Sequence, residues 1–352
     1  MHISSLLRFA VEQKASALHL SAGESPMLRV QGDLRRVDTP PLSPEEAHEL
    51  IFSVMNDAQR RTFQEHLEAD FAYTLGDDLR FRVNAFVQNR GEGAVFRTIP
   101  AKIPRFGDLG LPAILRSFCE AEKGLVLVTG PTGSGKSTTL AAMIDLINEH
   151  HTGHILTLED PIEFVHRSKR CLVNQREIGQ QTRSFSAALR SALREDPDVI
   201  LVGEMRDLET ISLALTASET GHLVFGTLHT ASAPKTIDRI IDVFPSDQQS
   251  QVRVMLAESL LGVVAQSLFK KRGGGRVAAH EILIGTPAVK NLVREAKTHQ
   301  IPSAIQVGGK FGMQSMDACI ADLIAKGLIS PSEGRHGAPG TGSEGSAKEA
   351  HR

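Results

Sequence analysis

Residues 124–138 read Gly-Leu-Val-Leu-Val-Thr-Gly-Pro-Thr-Gly-Ser-Gly-Lys-Ser-Thr, an apolar strand running into a glycine-rich loop. Gly130, Gly135, Lys136 and Ser137 fill the pattern GxxxxGK[ST] with nothing missing. Gly130, Gly133 and Gly135 carry no Cβ, so the backbone can wrap closely around an anion and turn its N–H groups inward. A helix is expected to begin at the end of the loop, with its positive end facing the same anion. Pro131, Thr132, Ser134 and Thr138 complete the cradle, so all of Gly130–Thr138 are candidate nucleotide contacts. Lys136 is the length needed to reach β- and γ-phosphates, and the Ser137 hydroxyl suits a magnesium ion. The loop predicts a parallel α/β sheet and a nucleoside triphosphate, ATP with Mg²⁺. It leaves open what the nucleotide is used for.

At 352 residues the chain has room for two domains. Hydrophobic residues make up 41% and charged residues 23%, enough to bury a sizeable core. The net charge of −2 provides no global basic field for nucleic acid. Cys119, Cys171 and Cys319 lie far apart, with no CxxC pair, so neither a zinc site nor a disulfide framework is expected. That usage fits a reducing, cytoplasmic compartment. The N-terminus lacks a signal-peptide core, and no apolar run approaches the length of a membrane span.

The first hundred residues read as a small α+β unit. Ile3, Leu6, Leu7, Ala10 and Val11 follow helical spacing. Ser43-Pro44-Glu45-Glu46 has the form of a capping box with proline at the first helical position. Leu79, Phe81, Val83, Ala85 and Val87 alternate as in a half-buried strand, with Ala94–Ile99 as the next one. Pro100, Pro104 and Gly107 mark a linker over 100–110, the expected hinge. Strands and helices then alternate: strands at 125–128, 154–158, 199–202 and 223–228, with helical stripes between them. From Gln248 to Phe269 the pattern predicts one long helix, followed by helices over 287–296 and 316–328. The stretch from Pro331 to the end has five glycines and no aliphatic or aromatic core former, and is expected to be disordered.

Turnover needs an acidic element beyond the loop. Asp198-Val-Ile-Leu-Val-Gly-Glu204 is an apolar strand ending in a carboxylate, at the edge where nucleotides sit in open α/β sheets. Glu204 is therefore the candidate general base. Leu158-Glu159-Asp160-Pro161-Ile162-Glu163 clusters three more carboxylates past another strand end. Glu159 and Glu163 are candidates for the metal or its water shell, whereas Asp160 precedes proline and suits a turn. His222 and His229 flank the strand between them. Each can sense a γ-phosphate or serve as an ordinary partly buried hydrogen-bonding group. Seven residues apart on a strand is poor chelating geometry. Arg80 and Arg82 share one strand face, with Arg97 on the next strand, and Arg190 and Arg194 share a helix face. These are candidates for a guanidinium supplied to a neighbouring subunit's nucleotide.

Together these elements resemble the secretion-ATPase superfamily of type II secretion and type IV pilus systems, over essentially residues 1–330. Gly130–Thr138 resembles its Walker A. Leu158–Phe164 resembles its aspartate box, which implies a catalytic role for Glu163. Arg194–Asp207 resembles its atypical Walker B, with Glu204 at the catalytic glutamate. Thr220–His229 resembles its histidine box and puts His229 in the site. Ala288-Val-Lys-Asn-Leu-Val-Arg-Glu295 is similar to a signature of the retraction branch, departing at Val289, Lys290 and Val293. Lys290 lacks the fork of an arginine, which puts any bidentate carboxylate partner in question. The absence of a tetracysteine module also favours retraction over extension. The resemblance implies a PAS-like N-terminal domain (1–99), a RecA-like C-terminal ATPase domain (111–330) and a homohexameric ring. It also implies a cytoplasmic position against an inner-membrane pilus platform protein, a paralogous retraction ATPase as a further candidate partner, and Arg80 and Arg82 acting in trans. The expected function is ATP-driven pilus retraction, with neither zinc nor nucleic acid as partner. The alternatives are an accessory or extension-type motor, a ring nucleic-acid translocase, and a regulatory module without turnover.

Overall fold

In the computed structural model, which describes residues 2–30, 32–76, 79–99 and 102–337, two compact units emerge. One is Met1–Lys102 with Pro161–Val165, and the other is Ile103–Asp160 with His166–Arg352. Pro100 of the expected hinge and the tail beyond 337 lie outside the described residues.

The first unit is a six-stranded antiparallel sheet with β1 (Ala17–Ser21), β2 (Met27–Val30), β3 (Asp33–Arg36), β4 (Glu68–Leu75), β5 (Leu79–Gln88) and β6 (Gly91–Ile99), in the order β3-β2-β1-β6-β5-β4. Period-two alternation sends Leu18, Leu20, Phe81, Val83, Ala85, Ala94 and Phe96 to one buried face. The helix Ile3–Glu12 and the helix Pro44–Phe52 supply Leu6, Leu7, Leu50 and Ile51 to the same core. Ser43 forms the expected capping box with Glu46. A second box, Asn56 with Gln59, starts the helix Asp57–His66.

The second unit is a seven-stranded sheet. Its strands are β7 (Gly124–Thr129), β8 (His154–Glu159), β9 (Leu172–Glu177), β10 (Val199–Val202), β11 (Leu223–Leu228), β12 (Leu260–Lys270) and β13 (Arg276–Ile284), in the order β13-β12-β7-β11-β10-β8-β9. All neighbours are parallel except β13, which runs antiparallel to β12. Both faces are covered, which is why these strands do not alternate in sequence. Leu125 and Leu127 face one core, with Leu156, Ile200 and Val224 and the helices Phe185–Ala192 and Leu208–Glu219. Val126 and Val128 face the other, with Ile155, Phe225 and the helix Lys136–His150. Phe106, inside the expected linker, is buried in this second core.

The expected long helix over 248–269 is corrected. Helix Gln249–Ser259 ends and β12 takes over at Leu260. The apolar run Leu260–Ala265 is buried between β7 and β13, so it shows no period two and reads as helical. Gly262 belongs in the strand because a Cβ there would lie 2.4 Å from the Phe118 ring. The start of the expected disordered tail is also corrected, since Pro331–Gly337 is helical. Ser330 Oγ accepts from Glu333 N at 3.1 Å, and Glu333 accepts from Lys270 N at 3.0 Å, anchoring this turn to β12.

His166 and His280 are buried, and burial lowers each pKa from 6.5 to about 4. An unfolded chain protonates both histidines below their ordinary 6.5, whereas the folded chain resists until about 4. Their contribution is therefore complete above 6.5 and is lost as pH falls from there toward 4. The loss amounts to about 3 kcal/mol for each group. The melting temperature should fall between about pH 7 and about pH 5, and His280→Leu should fall less steeply than the parent. Parallel slopes in a thermal melt series would contradict this account of the acid sensitivity.

Candidate functional site

The parallel strands bring several candidate residues to one sheet edge. β7, β11, β10 and β8 all point the same way, so their carboxyl ends lie together. The loop after β7, His229 after β11, Glu204 beyond β10 and Glu159 at the end of β8 therefore share that edge.

Gly130 leaves β7 at φ +141° and Gly135 enters the helix Lys136–His150 at φ +89°, conformations open to glycine and strained for other residues. A Cβ on Gly130 would sit 2.3 Å from the Gln266 carbonyl oxygen, so the loop presses directly on β12. Pro131, Thr132 and Gly133 form an exposed crest, while Ser134 and Lys136 are buried. Gly135 offers no side chain to cap the helix, which leaves the N–H groups of the first turn for an anion. Lys136 Nζ donates to the carbonyls of Gly130 at 2.8 Å and Pro131 at 3.1 Å, holding the ammonium against the start of the loop. Ser137 and Thr138 follow in the first helical turn, partly exposed.

Ser134 Oγ is buried and lacks a hydrogen-bond partner among the described residues. Its backbone N–H donates to Pro131 O at 3.2 Å, within the loop itself. Ser134→Ala removes a hydroxyl whose unsatisfied burial costs about 1–3 kcal/mol. Nucleotide affinity should be unchanged and the melting temperature equal or higher, as read by titration and thermal unfolding. A large loss of affinity would show that the hydroxyl itself binds.

Glu204 is aimed by the turn that holds it. Val202 pairs with Gly226, so Glu204, two residues further on, is level with the end of β11. Met205 is buried and its N–H donates to Thr227 O at 3.0 Å, while Thr227 Oγ1 donates to Gly203 O. Gly226 makes room, because a Cβ there would lie 2.3 Å from Met205 Sδ. Gly203 is equally confined, since its Cβ would meet the Leu158 carbonyl at 2.9 Å. The result is a half-buried carboxylate whose Oε1 is 3.2 Å from His229 Nε2 and also paired with Arg206 Nε. The Glu204 carboxylate holds the Arg206 guanidinium still more firmly in its charged form.

His229 therefore lies at the carboxylate, and His222 does not. His222 precedes β11 at the opposite edge, where its Nδ1 lies 3.0 Å from Ala217 O. Glu159 closes β8 and accepts from Thr157 Oγ1 at 2.7 Å and from Gln175 Nε2 at 3.1 Å. Arg190 is taken up by an ion pair with Glu209. Arg80 and Arg82 belong to the first unit, and Glu163 to the segment that groups with it. Arg82 lies opposite Arg97 in the β5–β6 register and makes a two-pronged pair with Asp70, the shorter contact 2.6 Å. Lys290 bonds the Glu258 carbonyl at 2.9 Å, and Arg294 pairs with the Glu258 carboxylate, also at 2.9 Å. The single ammonium thus caps the last turn of a helix instead of forking a carboxylate.

Sequence reasoning missed Gln266. Its signal was a lone amide in the apolar run Leu-Leu-Gly-Val-Val-Ala-Gln-Ser-Leu-Phe. Among the described residues, no group of three His, Cys, Asp or Glu side chains is placed to hold a metal.

The arrangement supplies an anion cradle with a buried ammonium, and beside it a carboxylate oriented by a histidine and an arginine. That set can bind a polyphosphate and orient a water toward its terminal phosphorus. The family model "Type II/IV secretion system protein" matches residues 1–274. The chain is 63% identical over 335 residues to the "Type IV pilus retractation ATPase PilT" of Pseudomonas aeruginosa, covering 95% of this chain and 97% of that protein. It is 42% identical to the "Type IV pilus ATPase PilU" of the same organism, covering 94% and 86%. The crystal structure of the pilus retraction motor PilT with bound ADP superposes with a TM-score of 0.90 at 48% identity, covering 96% of this chain and 97% of that one.

Proposed function

Because the chain belongs to the type II/IV secretion system protein family, we propose that it is an ATPase motor that drives type IV pilus retraction, and with it twitching motility. The observation that carries the chemistry is Glu204, fixed level with the end of β11 and bonded to His229, on the sheet edge that also carries the phosphate loop. The similarity at 63% identity to a retraction ATPase supports the direction of the work.

The phosphate loop binds ATP through its backbone N–H groups and Lys136. Mg²⁺ suits the donor set: the Ser137 hydroxyl is a hard oxygen in the partly exposed first helical turn, and Glu159 and Glu204 are carboxylates at nearby strand ends. Ser137 would hold the ion directly and Glu159 through water, and the ion would supply charge neutralisation between the β- and γ-phosphates. Glu204 takes the proton of the attacking water, and His229 holds the Glu204 carboxylate in place. Glu163 assists, and Arg80 and Arg82 approach the nucleotide of a neighbouring copy. Such a guanidinium is worth about 10³–10⁵ in rate.

The working form is a homohexameric ring, in which nucleotide changes the disposition of the two units about the linker. No helix among the described residues is long and apolar enough to cross a membrane. The ring is placed in the cytoplasm, docked on an inner-membrane platform protein and working with a paralogous ATPase where one exists. Electron microscopy of the purified protein with and without nucleotide tests the assembly. A six-fold ring whose shape depends on nucleotide is expected; monomers that turn over ATP at full rate would contradict it.

A further inference from the structure

Gln266 lies on β12 one residue beyond the pair Ala265–Thr129, which sets it beside the first residue of the phosphate loop. It is 2% exposed, as is Thr139. Its Nε2 donates to Ser134 O at 2.7 Å, and its Oε1 accepts from Thr139 Oγ1 at 2.8 Å. Cβ atoms on the two flanking glycines would collide with it: Gly130 with its carbonyl oxygen at 2.3 Å, and Gly135 with its Nε2 at 2.9 Å. The main chain of Gln266 thus fills the space at Gly130 and its side-chain amide the space at Gly135, on the inner side of the loop.

The chemistry of that contact reaches the anion side. Ser134 C=O and Gly135 N–H belong to one planar trans peptide, so they point in opposite directions. Tying the carbonyl inward to Gln266 turns the Gly135 N–H outward, toward the cradle. The amide is neutral, donating through Nε2 and accepting through Oε1. The Ser134 carbonyl only accepts, so it takes the Nε2 end, and the Thr139 hydroxyl donates to the Oε1 that is left.

We propose that Gln266 is a positioning residue for the phosphate loop: through Ser134 and Thr139 it sets the orientation of the loop N–H groups that bind the β-phosphate. This inference rests on the ATPase reading above. It assigns a role in nucleotide affinity to a strand outside every motif that carries that reading.

The test uses steady-state ATP hydrolysis and ADP titration on the full chain. Gln266→Met keeps volume and loses both hydrogen bonds. KM for ATP and Kd for ADP should rise at least about tenfold, while kcat changes by less than about threefold, the split expected when binding shared by ground and transition states is lost. Thr139→Val should shift KM in the same direction by less, Thr139→Ser should restore it, and the double variant should be less than additive. Val263→Ala, in the core of the same strand, is the stability control: its melting temperature should drop while KM stays at the parent value. Parent KM and ADP affinity in Gln266→Met would overturn the inference. So would a comparable rise in KM for Val263→Ala, which would reduce the effect to general loosening. If Gln266→Met does not fold, Thr139→Val decides, and an unchanged KM there overturns it. Absence of turnover in the parent protein is a different result, and it counts against the ATPase reading instead.

Discussion

Lys136→Ala is expected to abolish ATP turnover, lowering kcat/KM by at least about 10³, equivalent to about 4 kcal/mol of lost stabilisation. The residue is buried, its ammonium is held by the Gly130 and Pro131 carbonyls, and it sits in the first turn of the helix that begins at the end of the loop. No neutral side chain restores a charge-assisted bond to a developing negative phosphoryl oxygen. The loop carbonyls lose their donor as well, so ADP affinity should fall with turnover. A phosphate-release assay and an ADP titration check both. Activity within about tenfold of the parent would mean that the nucleotide is bound elsewhere.

Glu204→Gln separates binding from chemistry. The amide keeps the shape of the side chain and an oxygen acceptor near His229 and Arg206, but it cannot take a proton from water. Loss of a positioned general base costs about 10²–10⁴ in rate. The expected variant binds ATP as tightly as the parent and hydrolyses it at least about a hundredfold more slowly. Loss of binding together with turnover would show that the residue holds nucleotide or structure instead. Unchanged turnover would remove Glu204 from the chemistry.

The legible parts of this molecule were those whose physics is local. The phosphate loop shows in sequence because three glycines, a lysine and a serine each meet a backbone or charge requirement within nine residues. The cap at Ser43 shows for the same reason. The position of Glu204 was legible because a buried parallel strand delivers the residue beyond its end to the carboxyl edge of the sheet. What was hidden depended on distant partners. β12 read as helix because burial on two sides erased its alternation, and only pairing with β7 and β13 makes it a strand. Gln266 is 127 residues from Thr139 and 132 from Ser134, so nothing nearby in sequence marks its role. Residue type and spacing left the two histidines equivalent, and strand direction separates them, with His229 at the carboxylate and His222 at the far edge. Arg80 and Arg82 sit on the first unit's sheet, and a role in trans depends on a second copy that no single chain contains.

Deleting the gene from its own host, and returning it as wild type, Lys136→Ala or Glu204→Gln, tests the central claim most directly, read by surface pilus counts and twitching. The account predicts that deleted cells are heavily piliated and immobile. It further predicts that the wild-type gene restores retraction and movement, and that neither variant does. Bald cells after deletion would assign the chain to extension, and cells that still retract pili normally would contradict its role as the motor.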